Sequence, residues 1–172
     1  MRHTISVLVE NEFGVLARIA GLFSGRGFNI ESLTVAETLD PRVSRLTLVT
    51  RGDDQVLEQV NQQLNKLINV IKVMDFTNAS HVERELALIK VQADSDTRAE
   101  LMQIVDIFRG RVIDVSPSAY LIEVTGDQDK ITALLELLRP LGIHEIARTG
   151  SVAIHRGMQL LREVRARKET VE

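Results

Sequence analysis

Hydrophobic residues along the chain alternate between the spacing of strands and the spacing of helices. Residues 4–10 form a dense run of β-branched and aliphatic side chains, which predicts a strand. The spacing then becomes helical and predicts a helix that begins near Val15 and ends at Gly25. Further patterns predict strands at 28–38 and 43–51 with a turn at Pro41 between them, a helix opened by Gly52-Asp53, and a strand at 70–77.

The predicted order over the first 77 residues is that of a ferredoxin-like βαββαβ unit, with two helices on one face of an antiparallel sheet. The order recurs between Glu85 and Ala147, and the two Gly-Asp helix starts lie 74 residues apart. We therefore predict an α+β protein with two consecutive ferredoxin-like βαββαβ domains. The predicted boundaries are 1–77 and 82–151 for the domains, 78–81 for a linker and 152–172 for a tail, which is either an amphipathic helix or a contact arm for a partner.

Composition excludes several kinds of site. The chain has no cysteine, which excludes disulfides, iron–sulfur clusters, thiolate zinc sites and cysteine nucleophiles. A net charge of −3 and an aromatic content of 3% argue against a nucleic-acid partner. The sequence contains neither a signal peptide nor an apolar run of the ~20 residues that a membrane span needs, so we expect a cytoplasmic protein with no membrane contact.

No motif for catalysis or metal binding stands out. The four histidines include no pair at the i, i+4 spacing that places two metal ligands on one helix face. The glycines from Gly21 to Gly27 end a helix, whereas phosphate-binding glycine loops begin one. We therefore expect no catalytic residues, no metal site and no cofactor in this chain.

The most informative segment is the turn from Asn11 to Leu16. Gly14 allows a sharp turn from strand to helix, and the first N–H groups of the helix have no partners within the helix. These N–H groups and the positive end of the helix dipole favour an anion such as a carboxylate. Asn11 adds an amide beside them, so the turn can bind a free amino acid. The alternative is an ordinary strand-to-helix turn, in which Asn11 bonds only to local backbone.

This turn resembles that of the ACT domain, a βαββαβ module that senses small molecules and has an Asp/Asn-x-x-Gly-x-Leu pattern in its first turn. Asn11, Gly14 and Leu16 match the pattern, although Asn11 has no charge with which to pair an ammonium group. Further informative blocks lie at residues 6–12, 21–24, 26–35, 81–86, 107–110, 113–115 and 147–150, of which Arg26-Gly27-Phe28-Asn29-Ile30-Glu31-Ser32-Leu33 is the most specific. Through these blocks, nearly the whole chain resembles the small regulatory subunits of acetohydroxyacid synthase, or acetolactate synthase.

The resemblance implies that the first domain is an ACT domain through which the chain forms a homodimer. It also implies a non-catalytic role: the chain activates a separate catalytic subunit and makes it sensitive to feedback inhibition by valine, in the biosynthesis of branched-chain amino acids. Thiamine diphosphate, magnesium and FAD are expected only in that catalytic subunit. The implied effector site lies between two ACT domains, with Asn11, Gly14, Val15 and Leu16 from one chain and Asn29 and Ile30 from the other.

Three other functions remain as alternatives. An ACT-domain sensor of amino acids for a different partner enzyme keeps the ligand site but lacks this catalytic subunit. A transcription regulator needs a helix-turn-helix and a basic face, and neither is visible in the sequence. A stand-alone enzyme needs a cluster of polar catalytic residues, which is not visible either.

Overall fold

The computed structural model describes residues 1–158, which divide into two compact units. One unit contains residues 1–81 together with residues 155–158, and the other runs from Val82 to Ile154. Each unit has an antiparallel sheet and two main helices in the order strand, helix, strand, strand, helix, strand. The predicted α+β class with two ferredoxin-like units is therefore confirmed.

The first unit consists of β1 (Arg2–Glu10), α1 (Val15–Gly25), β2 (Ile30–Glu37), β3 (Val43–Arg51), α2 (Asp54–Leu64) and β4 (Val70–Asp75). Its four strands form a sheet in the order β2-β3-β1-β4, so that β2 is an edge strand. Alternate residues of the central strand β1, such as Ile5 and Val7, are fully buried and pack against Ile19 and Phe23 of α1. Burial of these side chains provides the main stabilising free energy of the unit.

The second unit consists of β5 (His81–Gln92), α3 (Arg98–Ile107), β6 (Arg111–Val115), β7 (Ala119–Gly126), α4 (Gln128–Leu138) and β8 (Ile143–Arg148). It repeats the arrangement of the first unit in the order β6-β7-β5-β8, and its core contains Ile89, Ile122 and Leu134. The sequence analysis missed one element: Val152–His155, which it assigned to the irregular tail, forms a strand, β9, that pairs with β5.

The second helix of each unit begins in the same way. Asp53 and Asp127 are the N-caps, and their side chains accept hydrogen bonds from the backbone N–H groups of Val56 and Lys130, both at 2.9 Å. Such caps satisfy N–H groups that have no partner within the helix. The predicted Gly-Asp helix starts are therefore confirmed as one local structure that occurs twice.

The ends of the chain's helices also follow the sequence. Helix α1 ends at Gly25, and Gly27 then adopts the left-handed backbone conformation, with φ of +71°.

Within residues 1–158, no helix is long and apolar enough to cross a membrane. Most of the predicted tail, from residue 159 onward, lies outside the described residues.

Candidate functional site

The turn between β1 and α1 has the backbone that the sequence predicts for it. Gly14 is the N-cap of α1, with φ of +83°, and its carbonyl accepts the first helical hydrogen bond from the N–H of Arg18 at 3.0 Å. No side chain caps this helix, and a Cβ atom at Gly14 would meet nothing within 4 Å. The α1 N-terminus is therefore an uncapped, open end with donor N–H groups and a partial positive charge.

Asn11 fixes this turn against the hairpin between β2 and β3. Its backbone N–H donates to the carbonyl of Arg42 at 2.7 Å. Its side-chain Nδ2 donates to the carbonyl of Pro41 at 2.9 Å and to Oε1 of Glu37 at 3.1 Å. Since a carbonyl and a carboxylate can only accept, these contacts also define which way the amide of Asn11 faces.

Val15 and Leu16 have different roles in the first turn of α1. Val15 is buried in the core of the first unit, which anchors the turn from below. Leu16 is 45% exposed and adds an apolar surface beside the open helix end. Val15 therefore holds the turn in place, and Leu16 is available for a hydrophobic contact with a ligand.

Asn29 and Ile30 lie at the opposite end of the sheet in the same chain. The hydroxyl of Thr50 donates to the carbonyl of Asn29 at 2.7 Å, and Ile30 pairs with Thr50 on β3. In contrast, the β1–α1 turn follows Glu10, which pairs with Val43 at the other end of β3. Seven residues of extended strand span about 23 Å. One chain therefore does not bring the two groups of predicted site residues together.

Asn69, which the sequence analysis did not select, supports the turn from the side. It is 6% exposed, and its Nδ2 donates to carboxylate oxygens of Glu10 at 2.9 Å and Glu12 at 3.1 Å. Its Oδ1 accepts from Nη1 of Arg18 at 2.5 Å, and its backbone carbonyl accepts from the N–H of Glu10 at 2.9 Å. Asn69 thus connects the end of β1, the turn and α1. No local sequence pattern could have found it, because it lies 59 residues after Glu10.

We expect Asn69→Asp to destabilise the first unit by about 2–3 kcal/mol. The substitution keeps the size of the side chain but replaces the Nδ2 donor with a carboxylate oxygen that faces two other carboxylates. Urea denaturation of the full chain measures the effect, with the exposed Asn78→Asp as the matched control. Equal stability of the two variants would contradict the supporting role of Asn69.

The corresponding turn of the second unit, between β5 and α3, has a different composition. It contains Asp94 and Asp96 where the first unit has Asn11 and Phe13, and Asp94 Oδ2 accepts from Nε2 of Gln92 at 2.6 Å. Arg98, the first residue of α3, donates to the carbonyls of Ala93 at 3.2 Å and Pro117 at 2.7 Å. This helix start therefore has Thr97 as its N-cap in place of a glycine, and the side chain of Arg98 is bonded to backbone carbonyls beside it.

The remaining chemistry of the chain is sparse. No group of three or more His, Asp or Glu side chains in residues 1–158 is arranged to hold a metal ion. His3 is buried and bonds to the carbonyl of Gly52 and the hydroxyl of Thr77, both at 3.0 Å. His81 bonds to the carbonyl of Ala79 at 2.7 Å. These histidines therefore have structural partners, and the β1–α1 turn remains the candidate site.

Comparison with known proteins covers both units. Residues 5–72 match the model of the small-subunit-like ACT domain of acetohydroxyacid synthase, and residues 84–157 match that of the small subunit of acetolactate synthase. A probable acetolactate synthase small subunit of Methanothermobacter thermautotrophicus is 56% identical over 160 residues, which cover 92% of this chain and 95% of that relative.

Two further relatives extend the comparison to bacteria and to a solved structure. The small subunit of acetolactate synthase isozyme 3 of Salmonella typhimurium is 49% identical over 163 residues, covering 94% of this chain and 100% of the relative. The crystal structure of the small subunit from Thermotoga maritima superposes with a TM-score of 0.82 at 46% identity, covering 91% of this chain and 98% of that one. The chain therefore belongs to the family of acetolactate synthase small subunits, the regulatory subunits of that synthase.

Proposed function

We propose that this chain is a feedback regulator that binds valine between two copies of its first unit. Bound to the thiamine-diphosphate-dependent catalytic subunit of acetolactate synthase, it raises the activity of that subunit and, when it binds valine, inhibits it. The observation that carries the proposal is the uncapped N-terminus of α1 at Gly14. Its N–H groups and helix dipole favour the carboxylate of a free amino acid.

Pairing of two copies along β2 would complete the site. Among residues 1–158, β2 lies at the edge of its sheet, where a strand of a second copy can extend the sheet. If β2 pairs antiparallel with β2 of a second copy around its middle residues, the start of each strand lies beside the end of the other. Ile30 and Asn29 of one copy then approach Glu37 of the other, and Glu37 is in contact with Asn11. This geometry favours a site shared by two chains.

Two apolar residues, Leu16 in the first turn of α1 and Ile30 at the start of β2, suit a small branched side chain. Leu16 is exposed beside the helix end, and Ile30 packs at the edge of the core of its own unit. Together they would contact an isopropyl group across the interface. Leucine and isoleucine differ from valine by one methylene group, which contributes only ~1–3 kcal/mol to discrimination.

Inhibition follows from linkage between the two binding events. A ligand shifts an equilibrium only by its difference in affinity for the two states. Because the proposed site includes residues of both copies, valine favours one arrangement of the dimer over others. A catalytic subunit that is more active with a different arrangement would therefore lose activity when valine binds.

Two measurements test this function. Calorimetry on the purified full chain should detect valine binding, and addition of the chain to its catalytic subunit should raise turnover and make it sensitive to valine. Valine binding without any effect on the catalytic subunit would favour an ACT-domain sensor for a different enzyme. A folded chain that neither binds valine nor changes turnover would exclude the proposed function.

A further inference from the structure

The side chain of Asn11 has one hydrogen-bonding atom left for a ligand. Both N–H groups of its amide are used, one by the carbonyl of Pro41 and one by the carboxylate of Glu37. The free atom is Oδ1, which can only accept a hydrogen bond. Asn11 is exposed, so a ligand can reach this oxygen. Asn11 is therefore suited to an ammonium group and unsuited to a carboxylate.

Glu37 adds a negative charge beside this acceptor. Its carboxylate accepts from the neutral amide of Asn11, and within residues 1–158 it has no ion pair. Arg42, in the turn of the same hairpin, is bound to Asp40 through Nε at 2.9 Å and Nη2 at 2.7 Å. The charge of Glu37 is therefore not compensated by the hairpin to which it belongs.

We infer that Glu37 is a ligand-binding residue that pairs the ammonium group of the amino-acid effector, with Oδ1 of Asn11 as a second acceptor. This inference rests on the proposed function and adds the orientation of the effector within the site. The carboxylate of the effector contacts the N–H groups at the start of α1, and its ammonium group points to the end of β2. Asn11 has no charge of its own, and the carboxylate of Glu37, 26 residues further along the chain, provides the negative charge beside it.

Two ligands and one substitution test the role of Glu37. The substitution is Glu37→Gln, which keeps the size of the side chain and removes its charge. The ligands are valine and 3-methylbutanoate, which has the same carboxylate and isopropyl group but no ammonium group. We expect the variant to lose at least tenfold in valine affinity by calorimetry. Its affinity for 3-methylbutanoate, measured by protein NMR at millimolar concentrations, should stay within twofold of the wild-type value.

The control is Glu58→Gln, which removes one negative charge from the exposed face of α2 in the same unit and should leave both affinities unchanged. A Glu37→Gln variant that binds valine as the wild type does would overturn the inference while the proposed function stands. Equal losses for the two ligands would also overturn it, because Glu37 would then only support the fold or the dimer. A wild-type chain that binds no branched-chain amino acid would overturn both the inference and the proposed function.

Discussion

The Gly14→Asp variant should lose inhibition by valine while it still activates the catalytic subunit. The new carboxylate would lie at the start of α1, where we place the carboxylate of the effector. At ~4 Å and an effective dielectric constant of ~20, two unit charges repel by roughly 4 kcal/mol. Solvent around the exposed turn reduces this repulsion, so we expect valine affinity to fall by about 2 kcal/mol or more, roughly 30-fold. Calorimetry and valine titration of the holoenzyme measure the change.

The structure provides a matched control for this experiment. Gly14 has φ of +83°, a backbone conformation that is strained for residues other than glycine. Asparagine and aspartate tolerate this conformation better than the other residues do. Gly14→Asn introduces the same strain and the same bulk as Gly14→Asp, but no charge. There is open space for either side chain, because a Cβ atom at this position has no neighbour within 4 Å. Valine affinity should therefore stay within about threefold of wild type in the asparagine variant. Equal losses in both variants would place the effector elsewhere.

A mixed dimer of two variants that each fail to bind valine should regain half of the valine sites. In the proposed dimer, each site uses the β1–α1 turn of one copy and the start of β2 of the other. Pairing a Gly14→Asp chain with an Asn29→Ala chain places both substitutions in one site and leaves the second site intact. We expect each homodimer to have lost most of its valine binding, and the mixed dimer to bind one valine with wild-type affinity.

Two tags, one on each chain, allow purification of the mixed dimer before calorimetry. If the site were formed within a single chain, both sites of the mixed dimer would contain a substitution, and no binding would return. The separation of about 23 Å between the two groups of residues along β3 favours the shared site over that outcome. Sedimentation checks that the mixed dimer does not dissociate, and a second purification on both tags after the titration checks that its chains have not exchanged.

Local patterns were sufficient to predict most of the fold. Strands and helices of eight or more residues, such as α2 and β3, have a clear period and strong end signals, including Asp53 as a helix cap. The short strand β9 was missed because four residues, Val152–His155, give too little alternation to distinguish a strand from an irregular segment. Its pairing with β5 depends on residues distant in sequence, which a local pattern does not contain.

The candidate site was predictable only in part, for a related reason. The turn at Gly14 could be read locally because the glycine, the strand before it and the helix after it are adjacent in sequence. The partners of that turn are not adjacent. Glu37 reaches Asn11 through the β2–β3 hairpin, and Asn69 reaches Glu10 through the β1–β4 pairing. Their polar side chains are unremarkable in the sequence and acquire a role only when the sheet forms.

The turn between β5 and α3 has a consequence for how many effector molecules the protein can hold. Both units of the chain have the same architecture, but the second one has Thr97 in the place of Gly14, and the guanidinium of Arg98 is bonded to the carbonyls of Ala93 and Pro117 at the start of α3. We therefore expect that the duplicated fold does not double the binding capacity. Saturation should occur at one valine per polypeptide, two for each pair, and the second unit is free to diverge for other contacts.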